Sequence, residues 1–232
     1  MGQNRCRLPL PSTLSQPAEK QLLISYPKIM YKVLYYKIKR LTFHKMLCKF
    51  KGIFYKKTIY LYCKYEGPEI SPLYSNHIIN VQKYSDLELY SGSIPWMTKP
   101  DLIEMAQIRS ARGAILYTIT SNGILAHFGW LTMGGKDHYF NEVDITYRSA
   151  ADSVHLFDFY TDPLFRRQGF YEMNLKKMIS DSFESYGAKE IYIGVRHDNA
   201  ASKSAIEKAG FKICMKFVRI RIGWYVKKAL IR

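Results

Sequence analysis

The stretch from Val154 to Val195 constrains the fold of this chain more than any other. Val154–Thr161 is rich in aromatic and β-branched residues and reads as a strand that Pro163 closes. A helix follows from about Phe170 to Tyr186, with Met173, Leu175, Met178, Ile179 and Phe183 on its apolar face and Gly187 as its stop. Lys189–Val195 is the next short strand. A strand, an amphipathic helix and a second strand form a βαβ unit, which can bury its apolar surface only within a larger sheet. Between the first strand and the helix, Arg166-Arg167-Gln168-Gly169 turns the chain so abruptly that backbone N–H groups point outward without intrahelical partners. With the helix dipole and two arginines, that turn suits a phosphate or pyrophosphate, although an ordinary strand-to-helix turn with surface arginines reads the same on these residues alone.

The sequence on either side supplies the sheet. Thr58–Cys63 alternates as a half-buried strand, ended by Gly67, Pro68 and Pro72, and His77–Tyr84 reads as another strand followed by a helical region. Thr98, Pro100 and Asp101 mark a helix start, carried by Leu102, Met105, Ala106 and Arg109 to a stop at Gly113. Ala114–Thr120 and Ile124–Thr132 flank Asn122-Gly123, the strongest short hairpin signal. The polar loop Gly134–Asp137 leads into an irregular stretch. After the βαβ unit, Asn199–Ala209 is a helix and Phe211–Ile220 a last strand, with a continuation through Trp224. Antiparallel strands that meet a βαβ unit make an α+β or mixed α/β domain over roughly residues 75–226.

Two motifs in order give this domain a family resemblance. Thr161-Asp162-Pro163 and Arg166-x-x-Gly169 are followed by Asn199-x-x-Ser202 and then Glu207-Lys208-Ala209-Gly210-Phe211. The set resembles the GCN5-related N-acetyltransferases, the GNAT superfamily, whose fold is a central mixed sheet with flanking helices. Here a basic amphipathic helical segment and an extra strand would precede it. The expected domains are a disordered extension at 1–27, the basic segment and strand at 28–72, the GNAT-like domain at 73–226 and a tail at 227–232.

The resemblance implies an acetyl-CoA-dependent transfer to an amine, with no metal. The pyrophosphate would sit on the amides of Arg167, Gln168, Gly169, Phe170 and Tyr171, helped by Arg166, with Asn199 and Ser202 nearby. The backbone of Phe159 to Thr161 would pair with the pantetheine and polarise the thioester carbonyl. Two positions depart from the family pattern: Tyr171 stands where the loop usually has Gly or Ala, and Ile206 where many members carry the tyrosine that protonates the departing thiolate. An alkylamine has a solution pKa of about 10.4, so a group must remove its proton before attack. Asp158 is the best-placed carboxylate, with a structural aspartate inside the sheet as the alternative. Strict alternation puts Tyr160 on the face of Asp158, as an acid or as pocket lining, and turns His155 to the other face. Glu142 and Asp144 read as solvated loop charges, with substrate binding the lesser alternative. The competing function is a catalytically degenerate CoA-binding or membrane-tethered interaction module.

Net charge speaks to location. The chain carries +16, but twelve basic residues and no acidic one lie between Lys20 and Tyr65, and residues 1–19 add only Arg5, Arg7 and Glu19, so residues 66–232 keep +3. Met30, Leu34, Ile38 and Leu41 follow a helical spacing, with Lys28, Lys32 and Lys39 on the opposite arc. Residues 28–57 therefore read as an anchor on an anionic membrane surface or as a helix packed on the domain with a solvated basic face. Nucleic acid is not expected as a partner, because no recognised motif accompanies the lysines. An amino sugar of a surface polysaccharide pathway is the acceptor this location suggests, in a cytoplasmic protein at the inner face of the membrane, with a homodimer left open. Cys6, Cys48, Cys63 and Cys214 are scattered and indicate neither a zinc site nor a disulfide framework. Pro9 and Pro11 interrupt the start before an apolar signal core develops, Cys6 spoils a myristoylation signal, and translation starts at Met1 or at Met30.

Overall fold

The computed structural model describes residues 54–65, 67 and 78–231. The chain divides into two units, Met1–Ile53 and Phe54–Arg232. The disordered extension and the amphipathic helix expected before Phe54 lie outside the described residues.

The second unit is built on one eight-stranded sheet. Its strands are β1 (Phe54–Lys64), β2 (Ile79–Val81), β3 (Ala114–Ser121), β4 (Ile124–Met133), β7 (Ser153–Thr161), β8 (Glu190–Arg196), β9 (Lys212–Ile222) and β10 (Tyr225–Ile231), in the spatial order β10-β9-β1-β8-β7-β4-β3-β2. A separate hairpin pairs β5 (Asp137–Phe140) with β6 (Ile145–Arg148). β7 and β8 are parallel, as the helix between them requires, and the other neighbouring pairs are antiparallel. The helices are α1 (Lys99–Ala111), α2 (Phe170–Glu184) and α3 (Ala200–Lys208).

Local chemistry sets most of these boundaries. Thr98 and Asp101 form a reciprocal capping box at the start of α1. Asn122 and Gly123 both take positive φ, at 52° and 71°, as a two-residue turn that matches the strand twist demands. The Asn199 side chain accepts from the Ser202 N–H and caps α3.

Alternation along the strands divides the core between the two faces of the sheet. Leu175, Met178 and Ile179 of α2 and Ile206 of α3 pack on Tyr62, Leu131, Leu156 and Ile193. The opposite face carries Leu102 and Ala106 of α1 over Leu116, Phe128 and Trp130. Farther along that face, Phe140 and Val143 of the β5–β6 hairpin cover Ile59, Leu61 and Phe217.

Three features depart from the sequence reading. The stretch after Asp137, expected to be irregular, forms the β5–β6 hairpin. Residues 227–231 of the expected tail belong to β10, which pairs with β9 from Tyr225↔Ile222 to Ile231↔Lys216. β1, placed outside the 73–226 domain, is an interior strand between β8 and β9. Its partners come from more than 120 residues along the chain, where local pattern carries no information about pairing.

Candidate active site

The site is built around an irregularity in β7. β4 and β7 pair at Trp130↔Phe157 and again at Phe128↔Tyr160, so Asp158 and Phe159 together oppose the single residue Gly129. This is a β-bulge, and Asp158 adopts a φ of 51° to make it. The extra residue reverses the alternation beyond it. Phe159 packs on the α2 side, while Tyr160 returns to the α1 side with Phe157. Tyr160 stacks on Phe128 at 5.2 Å, and its hydroxyl bonds Ser93 and the buried Asp162. Burial pushes its phenol up to about 12. Tyr160 thus shares the α1 side with Asp158 but is a core residue outside the cleft, neither pocket lining nor placed to act as an acid. Asp162 is held below the ordinary carboxylate range: burial alone would raise it, but the hydroxyls of Ser91, Tyr160 and Ser93 and the Leu164 N–H outweigh burial.

Beyond the bulge the parallel strands part. β7 and β8 pair from Ser153↔Glu190 to Leu156↔Ile193 and no further. A cleft of about 750 Å³ opens there, lined from the α2–α3 side by Phe159, Tyr171, Asn199, Ser202 and Ile206. His138, Phe140, His155, Phe157, Asp158 and Arg109 line it from the opposite side. It thus runs through the sheet. Aromatic rings border it where glycine alone leaves room: a Cβ on Gly129 would lie 2.6 Å from the Phe159 ring, and one on Gly194 2.6 Å from the Phe140 ring.

On the α2 side, the turn has the expected form. Arg167 and Gly169 take φ of 66° and 81°, and among the described residues no side chain caps the N-terminus of α2. Arg166, Arg167, Gln168 and Gly169 are exposed, while Phe170 turns its ring into the core against Phe165. The turn is braced by Gln168 Nε2, which donates to the Leu164 carbonyl at 3.1 Å, and by Arg166 Nε, which donates to the Thr161 carbonyl at 3.4 Å. Thr161 Oγ1 pairs with His127 Nδ1 at 2.8 Å. Tyr171 sets its ring edge-on to Phe159 at 4.9 Å, and burial pushes its phenol well above the ordinary value.

On the other side, Asp158 pairs with Arg109 at 2.6 Å, and the guanidinium lies 5.2 Å from the Trp130 ring and 5.3 Å from that of Phe157. The carboxylate is thereby fixed at the mouth of the cleft. His155 lines the same cleft as Asp158, although alternation without a bulge would separate them. Its ring is buried, with both nitrogens lacking a hydrogen-bond partner among the described residues. The His138 ring stands 4.1 Å away. Burial pushes both imidazoles down, His155 well below its ordinary value, so both are neutral at pH 7. Glu142 also lines the cleft, whereas Asp144 turns to Lys228 at 2.6 Å. Sequence reading missed Arg109 and His138. Arg109 appeared there only as part of a helix, and His138 fell in the stretch read as irregular.

Among the described residues, no group of three or more His, Cys, Asp and Glu side chains could hold a metal ion, and no helix is long and apolar enough to cross a membrane.

A model of the Acetyltransferase (GNAT) family matches residues 88–211. No curated protein matches the chain. Among solved structures, an acetyltransferase from the GNAT family of Colwellia psychrerythraea is 14% identical over 78% of this chain and 62% of its own, with a TM-score of 0.50. A GCN5-related N-acetyltransferase from Sphaerobacter thermophilus is 14% identical over 78% of this chain and 54% of its own, with a TM-score of 0.47. AAC(6')-Iy, solved with the bisubstrate analog CoA-S-monomethyl-acetylneamine, is 17% identical over 60% of this chain and 92% of its own, with a TM-score of 0.46. The chain thus spans less than two thirds of the length of the first two. The family match covers more than half of the chain, over the strands and helices that frame the cleft, and the chain belongs to the GNAT acetyltransferase family.

Proposed function

We propose that this protein is an acetyl-CoA-dependent N-acetyltransferase that transfers the acyl group directly to an amine. The observation that carries the reading is the cleft through the sheet where β7 and β8 part, bordered by the first turn of α2 on one side and by polar groups on the other. One anionic and one aminic reactant can enter it from opposite faces. Acetyl-CoA supplies an activated acyl carbon and a thiolate leaving group. The backbone N–H groups from Arg167 to Tyr171 hold its pyrophosphate, with Arg166 and Arg167 adding positive charge. The bulged backbone of Phe159 to Thr161 pairs with its pantetheine and offers an N–H to the thioester oxygen, so that developing negative charge meets a preorganised donor. Asn199 and Ser202 border the same end.

In the transfer, a C–N bond forms as the C–S bond breaks, the amine loses a proton and the thiolate gains one. Asp158 and Arg109 orient the acceptor. His155, held neutral by burial and without a ring-nitrogen partner among the described residues, accepts a hydrogen bond from the amine, whose proton passes to water at the mouth of the cleft. Tyr171 keeps its phenolic proton at pH 7 and takes over from the missing tyrosine at Ile206, which brings only hydrocarbon to the cleft. The acceptor to try first is an amino sugar, and residues 28–57 would hold the protein against an anionic membrane.

A second reading rests on Ile206: a module that holds CoA without turnover. Thiol release from acetyl-CoA, measured with a panel of amino sugars, arylalkylamines, polyamines and peptide amines, separates the two. Amine-dependent release supports the enzyme. Binding of acetyl-CoA with no release for any amine would leave the module.

A further inference from the structure

The sheet gathers basic charge that the sequence keeps in two distant blocks. β1, β9 and β10 are neighbours and together carry nine lysines and arginines with no aspartate or glutamate. Pairing registers arrange the outer end of these strands in two rows. Phe54, Ile222 and Tyr225 stand side by side, and behind them Lys56, Ile220 and Lys227 do the same. Trp224 lies in the turn between β9 and β10, next to the first row, and is 94% exposed. Phe54, Ile222 and Tyr225 are 54%, 51% and 58% exposed, so nothing among the described residues buries the row.

We infer that this end of the β1–β9–β10 sheet is a docking surface for an anionic lipid bilayer. The order of the rows selects that partner. The apolar row is outermost and the lysines lie two residues behind it, about 7 Å along the strands. That separation matches the depth to which interfacial apolar side chains enter the boundary between headgroups and acyl chains, leaving the lysines at the level of the lipid phosphates. Indole and phenol groups suit the same boundary. A nucleic acid would also satisfy the lysines, but Ile222 and Ile220 gain nothing from stacked bases, whereas they do from acyl chains. The chain's own segment before Phe54 cannot neutralise the lysines, because it is itself basic and free of acidic residues from Lys20 onward.

The inference is independent of the acetyltransferase reading and can be tested without activity. The full chain is sedimented with phosphatidylcholine vesicles containing about one third phosphatidylserine, and with phosphatidylcholine alone, in the wild type and in K56E/K227E and W224S/Y225S. Binding to the anionic vesicles is expected. Each lysine near an anionic surface is worth about fivefold in partitioning, so K56E/K227E should reduce it about 25-fold or more. Thermal midpoints check that the variants fold. A direct readout uses W96F, which leaves Trp224 and the buried Trp130: acyl-chain bromides should quench Trp224. The inference is overturned by anionic binding that both double variants leave intact, which assigns the contact to other residues, or by vesicle binding with Trp224 unquenched. It is equally overturned if these variants abolish oligonucleotide binding or self-association while no vesicle binding is found.

Discussion

Replacing Gly129 by alanine tests whether the bulge controls both stability and cofactor binding. The new Cβ would stand 2.6 Å from two carbons of the Phe159 ring and 3.0 Å from Asn174 Nδ2. Carbon atoms pack at about 3.5–4.0 Å, so the ring must retreat by about 1 Å. Tyr171 at 4.9 Å and His127 at 6.2 Å between ring centroids bound that movement, and the backbone of the bulge has to share it. Overpacking of this kind costs about 1–3 kcal/mol. For a domain of this size the corresponding fall in thermal midpoint is about 2–12 °C. A 1 Å displacement of a positioning backbone can also cost about 100-fold in kcat/KM. The assay is a double-mutant cycle with Phe159→Ala, read by urea denaturation and by calorimetric titration of acetyl-CoA. Removing the ring removes the clash, so the double variant should be less destabilised than the sum of the two singles by about 1–3 kcal/mol. Additive energies, or a G129A protein with unchanged stability and unchanged acetyl-CoA affinity, would refute the reasoning.

Further outcomes follow from the same geometry. Arg166→Glu with Arg167→Glu should weaken CoA about tenfold or more while leaving a pantetheine fragment without phosphates nearly unaffected; equal losses for both ligands would remove the phosphate role. Tyr171→Phe should lower kcat about 100-fold at an unchanged KM for acetyl-CoA, and an unchanged kcat would show that the thiolate leaves without it. His127 is pushed down to about 3 by burial and His155 well below its ordinary value, so below pH 6.5 the unfolded chain takes up protons that the folded chain refuses. Stability is therefore complete above pH 6.5 and falls with decreasing pH toward the folded values, by about 1.4 kcal/mol per pH unit for each histidine. Urea midpoints that stay flat between pH 6.5 and 5 would contradict this.

What the sequence disclosed was the chemistry that acts over a few residues. The Thr98–Asp101 capping box, the Asn122-Gly123 turn, the Asn199 cap and the Arg166–Gly169 turn all depend on neighbouring groups, and they appear where their residues predict them. Alternation is equally local but assumes a regular pleat. One aspartate with positive φ broke it, moved Tyr160 into the core and brought His155 and Asp158 to one cleft. β5 and β6 were hidden because each is four residues long and none of their residues is fully buried, so no clean apolar period marks them. The acceptor side was the least legible part. Arg109, His138 and Asp158 come from three elements, and only the closed sheet and its hairpin bring them together. The same long-range pairing explains the charge: dividing it along the chain suggested a basic segment outside the domain, whereas β1 joins β9 and β10 inside the sheet.

Calorimetric titration of acetyl-CoA into the intact chain tests the central claim most directly. Parted parallel strands beside the first turn of α2 predict saturable binding at a single site with micromolar affinity, weakened in the Arg166→Glu, Arg167→Glu variant. A correctly folded protein that releases no heat and shows no acetyl-CoA-dependent rise in thermal midpoint would contradict it.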